Sequence, residues 1–191
     1  MTVTTTELRF LATEGSGEVS GLLSRPAEPW ALLVLAHGAG ADMRHKFMAE
    51  LAEALVLRGL SVLRYQFPYT EQGKRRPDPQ PRLVATVRAA VAEGARLAEG
   101  VPVLAGGKSL GGRMTSHAAA DGGLPQARGL VFFGFPLHPA DDVGTKRAEH
   151  LPRVPQPLLF LQGTRDELAE LPLIQGTVGG LGPRARKIGR A

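Results

Sequence analysis

The sequence predicts an α/β fold: a mostly parallel, doubly wound sheet preceded by an antiparallel hairpin. Three observations carry this prediction. Short, nearly unbroken apolar runs recur at residues 30–36, 61–65, 101–105, 129–133 and 157–161, as expected of strands covered on both faces. Stretches of helical period separate these runs. Ahead of the first run lie two segments rich in β-formers, 7–13 and 18–25, broken at Gly15-Ser16-Gly17.

The elements follow in chain order. Residues 7–13 and 18–25 form the hairpin. The run 30–36 is the first core strand and ends on His37-Gly38-Ala39-Gly40-Ala41. In 47–58, Phe47, Leu51 and Leu55 repeat at i, i+4 and i+8, and Gly59 is a natural stop. The strand at 61–65 leads into Phe67-Pro68-Tyr69, expected to form one wall of a ligand pocket. A helix over 81–99 opens on Pro81 and carries Val84, Val87 and Val91 on one face. The run 101–105 passes into an Ala-rich helix over 109–120 with almost no loop between them.

Residues 1–174 read as one domain, and 175–191 (QGTVGGLGPRARKIGRA) as an atypical basic tail. The tail has no strand period, so a C-terminal strand and helix are expected to be missing, through truncation or a shifted frame near 175–183. The sheet edge so exposed would invite pairing with a second copy, which predicts a homodimer.

Composition narrows the class. The chain has 191 residues, 43% hydrophobic and 21% charged, as in ordinary globular domains. It has no cysteine, which excludes disulfides, thiolate metal sites and a cysteine nucleophile. Residues 1–10 do not read as a signal peptide, and no run reaches membrane length, so a soluble, cytoplasmic protein with no membrane partner is expected. The net charge of +5 falls to +1 without Arg184, Arg186, Lys187 and Arg190. Lys74-Arg75-Arg76 sits in a Pro-rich loop and reads as a solvated face, so nucleic acid is not the expected partner. No His/Asp cluster has metal-ligand spacing, and no metal or cofactor is expected.

In such sheets ligands sit beyond the carboxyl ends of the strands. After 101–105 comes Gly106-Gly107-Lys108-Ser109-Leu110-Gly111-Gly112. This is G-x-S-x-G between a strand and a helix, a turn so sharp that side chains two before and two after the serine would clash. The strain points the Ser109 hydroxyl out as a nucleophile. The N–H of Leu110, at a helix start, is placed to donate to an oxyanion. Gly107-Lys108-Ser109 also matches the end of a phosphate-binding loop, but that loop needs a glycine where this chain has Pro102. The Gly-rich loop after 30–36 supplies the second oxyanion donor, Ala39 or alternatively Gly40, with His37 holding the loop. After 157–161 comes Gln162-Gly163-Thr164-Arg165-Asp166. Asp166 is placed to orient an imidazole, or to cap a helix.

Together these segments resemble the α/β-hydrolase superfamily, in its small dienelactone-hydrolase-like branch and most closely the testis-expressed hydrolase-like family. The resemblance rests on His37-Gly38-Ala39-Gly40-Ala41 with Met43, His45, Phe47 and Met48, then residues 107–113, then Phe135-Pro136-Leu137-His138-Pro139, then Gly163-Thr164-Arg165-Asp166. It implies a core sheet of this size with little or no lid. It also implies a catalytic histidine in a loop after the last strand.

This chain has five histidines, His37, His45, His117, His138 and His150, and all precede Asp166. A serine hydroxyl is a weak nucleophile without a base. The expected function is therefore a serine hydrolase-like protein acting on a small-molecule ester, lactone or thioester, impaired by the missing base. His138 and His45 are the candidate substitute bases. The alternative is a non-catalytic binding or interaction module on the same scaffold. Lys108 and Arg113 flank the elbow and either favour an acidic substrate or face solvent.

Overall fold

A computed structural model describes residues 2–189. Eight strands form one sheet in the order β1-β2-β4-β3-β5-β6-β7-β8. β1 (Val3–Thr13) and β2 (Gly17–Pro26) are the hairpin, and β2 joins antiparallel to β4 (Leu60–Tyr65). From β4 the sheet runs parallel through β3 (Ala31–Ala36), β5 (Val103–Lys108), β6 (Ala127–Phe133), β7 (Leu158–Leu161) and β8 (Ala185–Ile188). The helices are α1 (Lys46–Val56), α2 (Pro68–Glu71), α3 (Gln80–Leu97), α4 (Leu110–Ala120) and α5 (Leu171–Gly180). The predicted class, parallel sheet and leading hairpin are all present.

The unbroken apolar runs have a simple cause. Leu32, Val34 and Ala36 of β3 enter the main core with residues of α3 and α4, while Leu33 and Leu35 enter a second core beneath α1. In β6, Leu130 and Phe132 share the main core, and Phe133 lies in the second. Both faces are covered along most of their length, which favours apolar side chains there; the exposed Arg128 near the start of β6 is the exception. On α3 the valines Val84, Val87 and Val91 are buried as expected. On α1 the buried face is Met48, Ala52 and Val56, one residue round from the predicted stripe, and Phe47 stays 40% exposed. Among the described residues no helix is long and apolar enough to cross a membrane.

The C-terminal segment corrects the sequence reading of residues 175–188: the strand expected to be missing is present as β8, and α5 runs on to Gly180 ahead of it. α5 carries Gly176, Gly179 and Gly180, which weaken helix propensity and blur its period. It is held by Ile174 and Val178, buried one turn apart. β8 is only Ala-Arg-Lys-Ile, yet it pairs with β7 from Leu158↔Ala185 to Leu161↔Ile188. A four-residue edge strand leaves part of itself in water and needs no apolar run. Its Arg186 and Lys187 are the kind of charges that blunt an edge. The edge of β7, expected to be open, is therefore covered.

Candidate active site

The tip of β5 carries a strained turn. Ser109 has φ 48° and ψ −111°, and only Glu99 shares a positive φ among the non-glycine residues described. Such a conformation costs about 1–3 kcal/mol and persists only where its surroundings enforce it. Here they do. The Ser109 N–H donates to Phe133 O at 3.3 Å, and the Arg113 N–H donates to Ser109 O at 3.1 Å as α4 begins. A Cβ on Gly107 would stand 2.5 Å from Ala36 O, and one on Gly111 would stand 2.5 Å from Ala36 O and 2.6 Å from His37 O. The end of β3 thus lies against both glycines, and no side chain fits at either. Ser109 is half-buried, and its Oγ makes no hydrogen bond to any described residue.

The tip of β3 holds the facing loop. His37 is fully buried, and its Nε2 accepts the Phe67 N–H at 3.3 Å. The ring proton is therefore on Nδ1, which donates to Gly38 O at 2.9 Å. Burial pushes this imidazole below its ordinary pKa, so it is neutral. Phe67 and Tyr69 were expected to wall a pocket. Their rings instead pack edge-on against His37, at 5.0 and 5.9 Å, and both are buried. Aromatic packing beneath the loop outweighs exposure at its mouth; Tyr69 alone also borders a cavity of about 370 Å³ with Gly40, Ala41 and His45. A Cβ on Gly38 would lie 3.7 Å from Ser109 Cβ, so loop and elbow are in contact. Among the described residues no acceptor takes the N–H of Ala39, Gly40 or Leu110.

Asp166 follows β7, two strands from Ser109, or about 10 Å between strand axes. Its Oδ2 accepts from Gln162 Nε2 at 2.6 Å and its Oδ1 from the Leu168 N–H at 3.0 Å. A Cβ on Gly134, at the tip of the intervening β6, would lie 3.5 Å from Asp166 Oδ2 and 2.8 Å from Lys108 Nζ. A cavity of about 750 Å³ opens here, with Phe47, Phe133 and Leu161 as apolar walls and Lys108 and Asp166 as polar ones.

The histidines are spent elsewhere. His138 is buried, with Nδ1 2.7 Å from Pro139 O and Nε2 2.6 Å from Glu170 Oε2. Both neighbours are acceptors, so the ring carries both protons. The Pro139 carbonyl, then Glu170, raise its pKa. His45 caps α1, its Nδ1 accepting the Phe47 N–H at 3.3 Å. Neither candidate base is hydrogen-bonded to Ser109. His117, on the last turn of α4, stacks on His150 with centroids 3.6 Å apart. The Ser116 hydroxyl donates to Arg113 O, so it accepts His150 Nε2–H at 2.7 Å. Burial, then His117, push His150 down to about 3. Sequence reasoning missed Gln162 and the His138–Glu170 pair. The one available signal was a glutamine closing an apolar run.

The family model described as an alpha/beta hydrolase domain matches residues 29–181. Among solved structures, an alpha-beta serine hydrolase homologue from Coxiella burnetii is 20% identical, with a TM-score of 0.76 over 95% of this chain and 86% of that one. A Xanthomonas campestris protein, described as a member of the a/b serine hydrolases without a lid, is 18% identical, with a TM-score of 0.77 over 97% and 83%. A dienelactone hydrolase from Anabaena variabilis is 20% identical, with a TM-score of 0.69 over 97% and 84%.

Proposed function

Because this chain belongs to the alpha/beta hydrolase family, we propose that it performs acyl transfer from an ester, lactone or thioester to Ser109. The observation that carries the reading is the elbow itself. A strained serine, walled by two obligatory glycines, stands beside backbone N–H groups that donate to no acceptor among the described residues. In this reading Ser109 Oγ attacks the acyl carbon, and the N–H groups of Leu110 and Ala39 receive the developing oxyanion. Asp166, which lines the cavity of about 750 Å³, is the carboxylate that would orient a base. Within the family we assign the chain to the dienelactone-hydrolase-like branch, near the testis-expressed hydrolase-like proteins, on the motifs at 37–41, 107–113 and 163–166.

Turnover is expected to be slow. Among the described residues, which include all five histidines, no imidazole is hydrogen-bonded to Ser109, and a triad lacking one member retains only about 10³–10⁴-fold catalysis over water. A second reading, a binding module on the same scaffold, draws on that same observation. Hydrolysis of short p-nitrophenyl esters separates the two. After subtraction of the protein-free rate at the same imidazole concentration, the hydrolase reading expects a weak rate that vanishes in Ser109→Ala and is raised by added imidazole only when Ser109 is present. A rate identical in Ser109→Ala, with and without imidazole, selects the binding module.

A further inference from the structure

We propose that Gln162 is the positioning residue for Asp166, its side-chain amide holding the carboxylate turned toward the 750 Å³ cavity. The inference rests on the reading of Asp166 as the acid of a serine hydrolase. Gln162 is 1% exposed, so its amide must find its partners within the protein. One partner settles its orientation. The amide group lies 2.7 Å from the Phe135 backbone nitrogen. A backbone N–H can only donate, so the side-chain oxygen faces Phe135 and the NH₂ faces Asp166. That NH₂ meets Asp166 Oδ2 at 2.6 Å, and the Leu168 N–H meets the other oxygen at 3.0 Å. Rotating the carboxylate would break one of these bonds and strand a buried donor.

The anchor is rigid. The Phe135 ring lies in the main core, 5.2 Å from Phe132 and 5.7 Å from Phe160. Two further contacts join the loops after β6 and β7: Leu137 N–H to Leu168 O at 2.7 Å, and His138 to Glu170. Of these contacts only that of Gln162 reaches the carboxylate. The amide therefore links the core beneath β6 to the orientation of the acid.

Two readouts test this. The first needs no activity. In ¹⁵N-resolved spectra of the whole chain, one Gln162 side-chain proton is expected downfield and protected from exchange, and it should move in Asp166→Asn. A solvent-like pair of amide protons overturns the proposal. The second is the imidazole-dependent part of the rate at which a fluorophosphonate labels Ser109 in wild type, Gln162→Met, Asp166→Asn and the double variant, free imidazole supplying the base that no histidine of the chain brings to Ser109. Gln162→Met should be slowed about tenfold or more, with no further loss when added to Asp166→Asn. Additive losses would show that Gln162 acts on stability rather than through Asp166, and would overturn it. If Gln162→Met does not fold, Gln162→Glu keeps an oxygen for Phe135 and sets a second carboxylate against Asp166; wild-type labelling in that variant is equally fatal. Should Asp166→Asn label at the wild-type rate, the reading of Asp166 as the acid fails, and the amide spectra still judge Gln162 on their own.

Discussion

The tips of β5 and β7 carry the two halves of the proposed site and are built in opposite ways. At β5 the backbone dictates everything. Carbonyl oxygens of Ala36 and His37 stand where side chains on Gly107 and Gly111 would be, and Ser109 is forced to φ 48°. At β7 the backbone is permissive, and side chains do the holding: Gln162 reaches a loop 27 residues away, and Glu170 one 32 residues away. A site that needs a backbone shape restricts residue types by sterics. A site that needs a side-chain orientation restricts only which partners happen to meet.

Glycine substitutions put that contrast to its hardest test. Gly111→Ala should cost about 3 kcal/mol in urea unfolding, because its Cβ meets backbone that cannot yield. Gly163→Ala, in the loop before Asp166, has nothing within 4 Å of its Cβ and should stay within about 0.5 kcal/mol of wild type. Equal losses at both sites would break the distinction. Ser109→Gly should go the other way and stabilise the fold by about 1–2 kcal/mol, since it releases stored strain; a destabilised variant would mean that the elbow is not strained.

Titration sharpens the same comparison. His150, behind the elbow helix, has its pKa pushed down to about 3. The unfolded chain then binds the extra proton first, so stability falls as pH drops from about 6.5 toward 3, by at most about 1.4 kcal/mol per pH unit. His150→Gln should flatten this acid limb in thermal melts. His138, beside the acid loop, is raised by Pro139 O and Glu170. Its contribution is complete below about 6.5 and is lost as pH rises through the folded value. Glu170→Gln should therefore weaken the protein at the acid side of that window and matter little above it, the smallest effect of the series.

The same logic explains what could be read from the chain. Continuous apolar runs betrayed strands buried on both faces, and the two glycines around Ser109 betrayed the elbow. The second half of α5 and β8 were hidden because glycines blurred one and the other is a short charged edge. The loop-holding role of His37 was legible, but the partners of the histidines were hidden for a different reason. Whether an imidazole is free depends on which acceptors the loops bring to it, and neither Pro139 O beside His138 nor Phe67 N–H beside His37 is encoded by spacing. Gln162 was invisible on the same ground.

The central claim is that the elbow presents Ser109 as a nucleophile. Intact-protein mass spectrometry after prolonged exposure to a fluorophosphonate tests it most directly. A single adduct that maps to Ser109 and disappears in Ser109→Ala is the predicted result. A folded wild-type protein that takes up no adduct, or one whose adduct persists in Ser109→Ala, would contradict it.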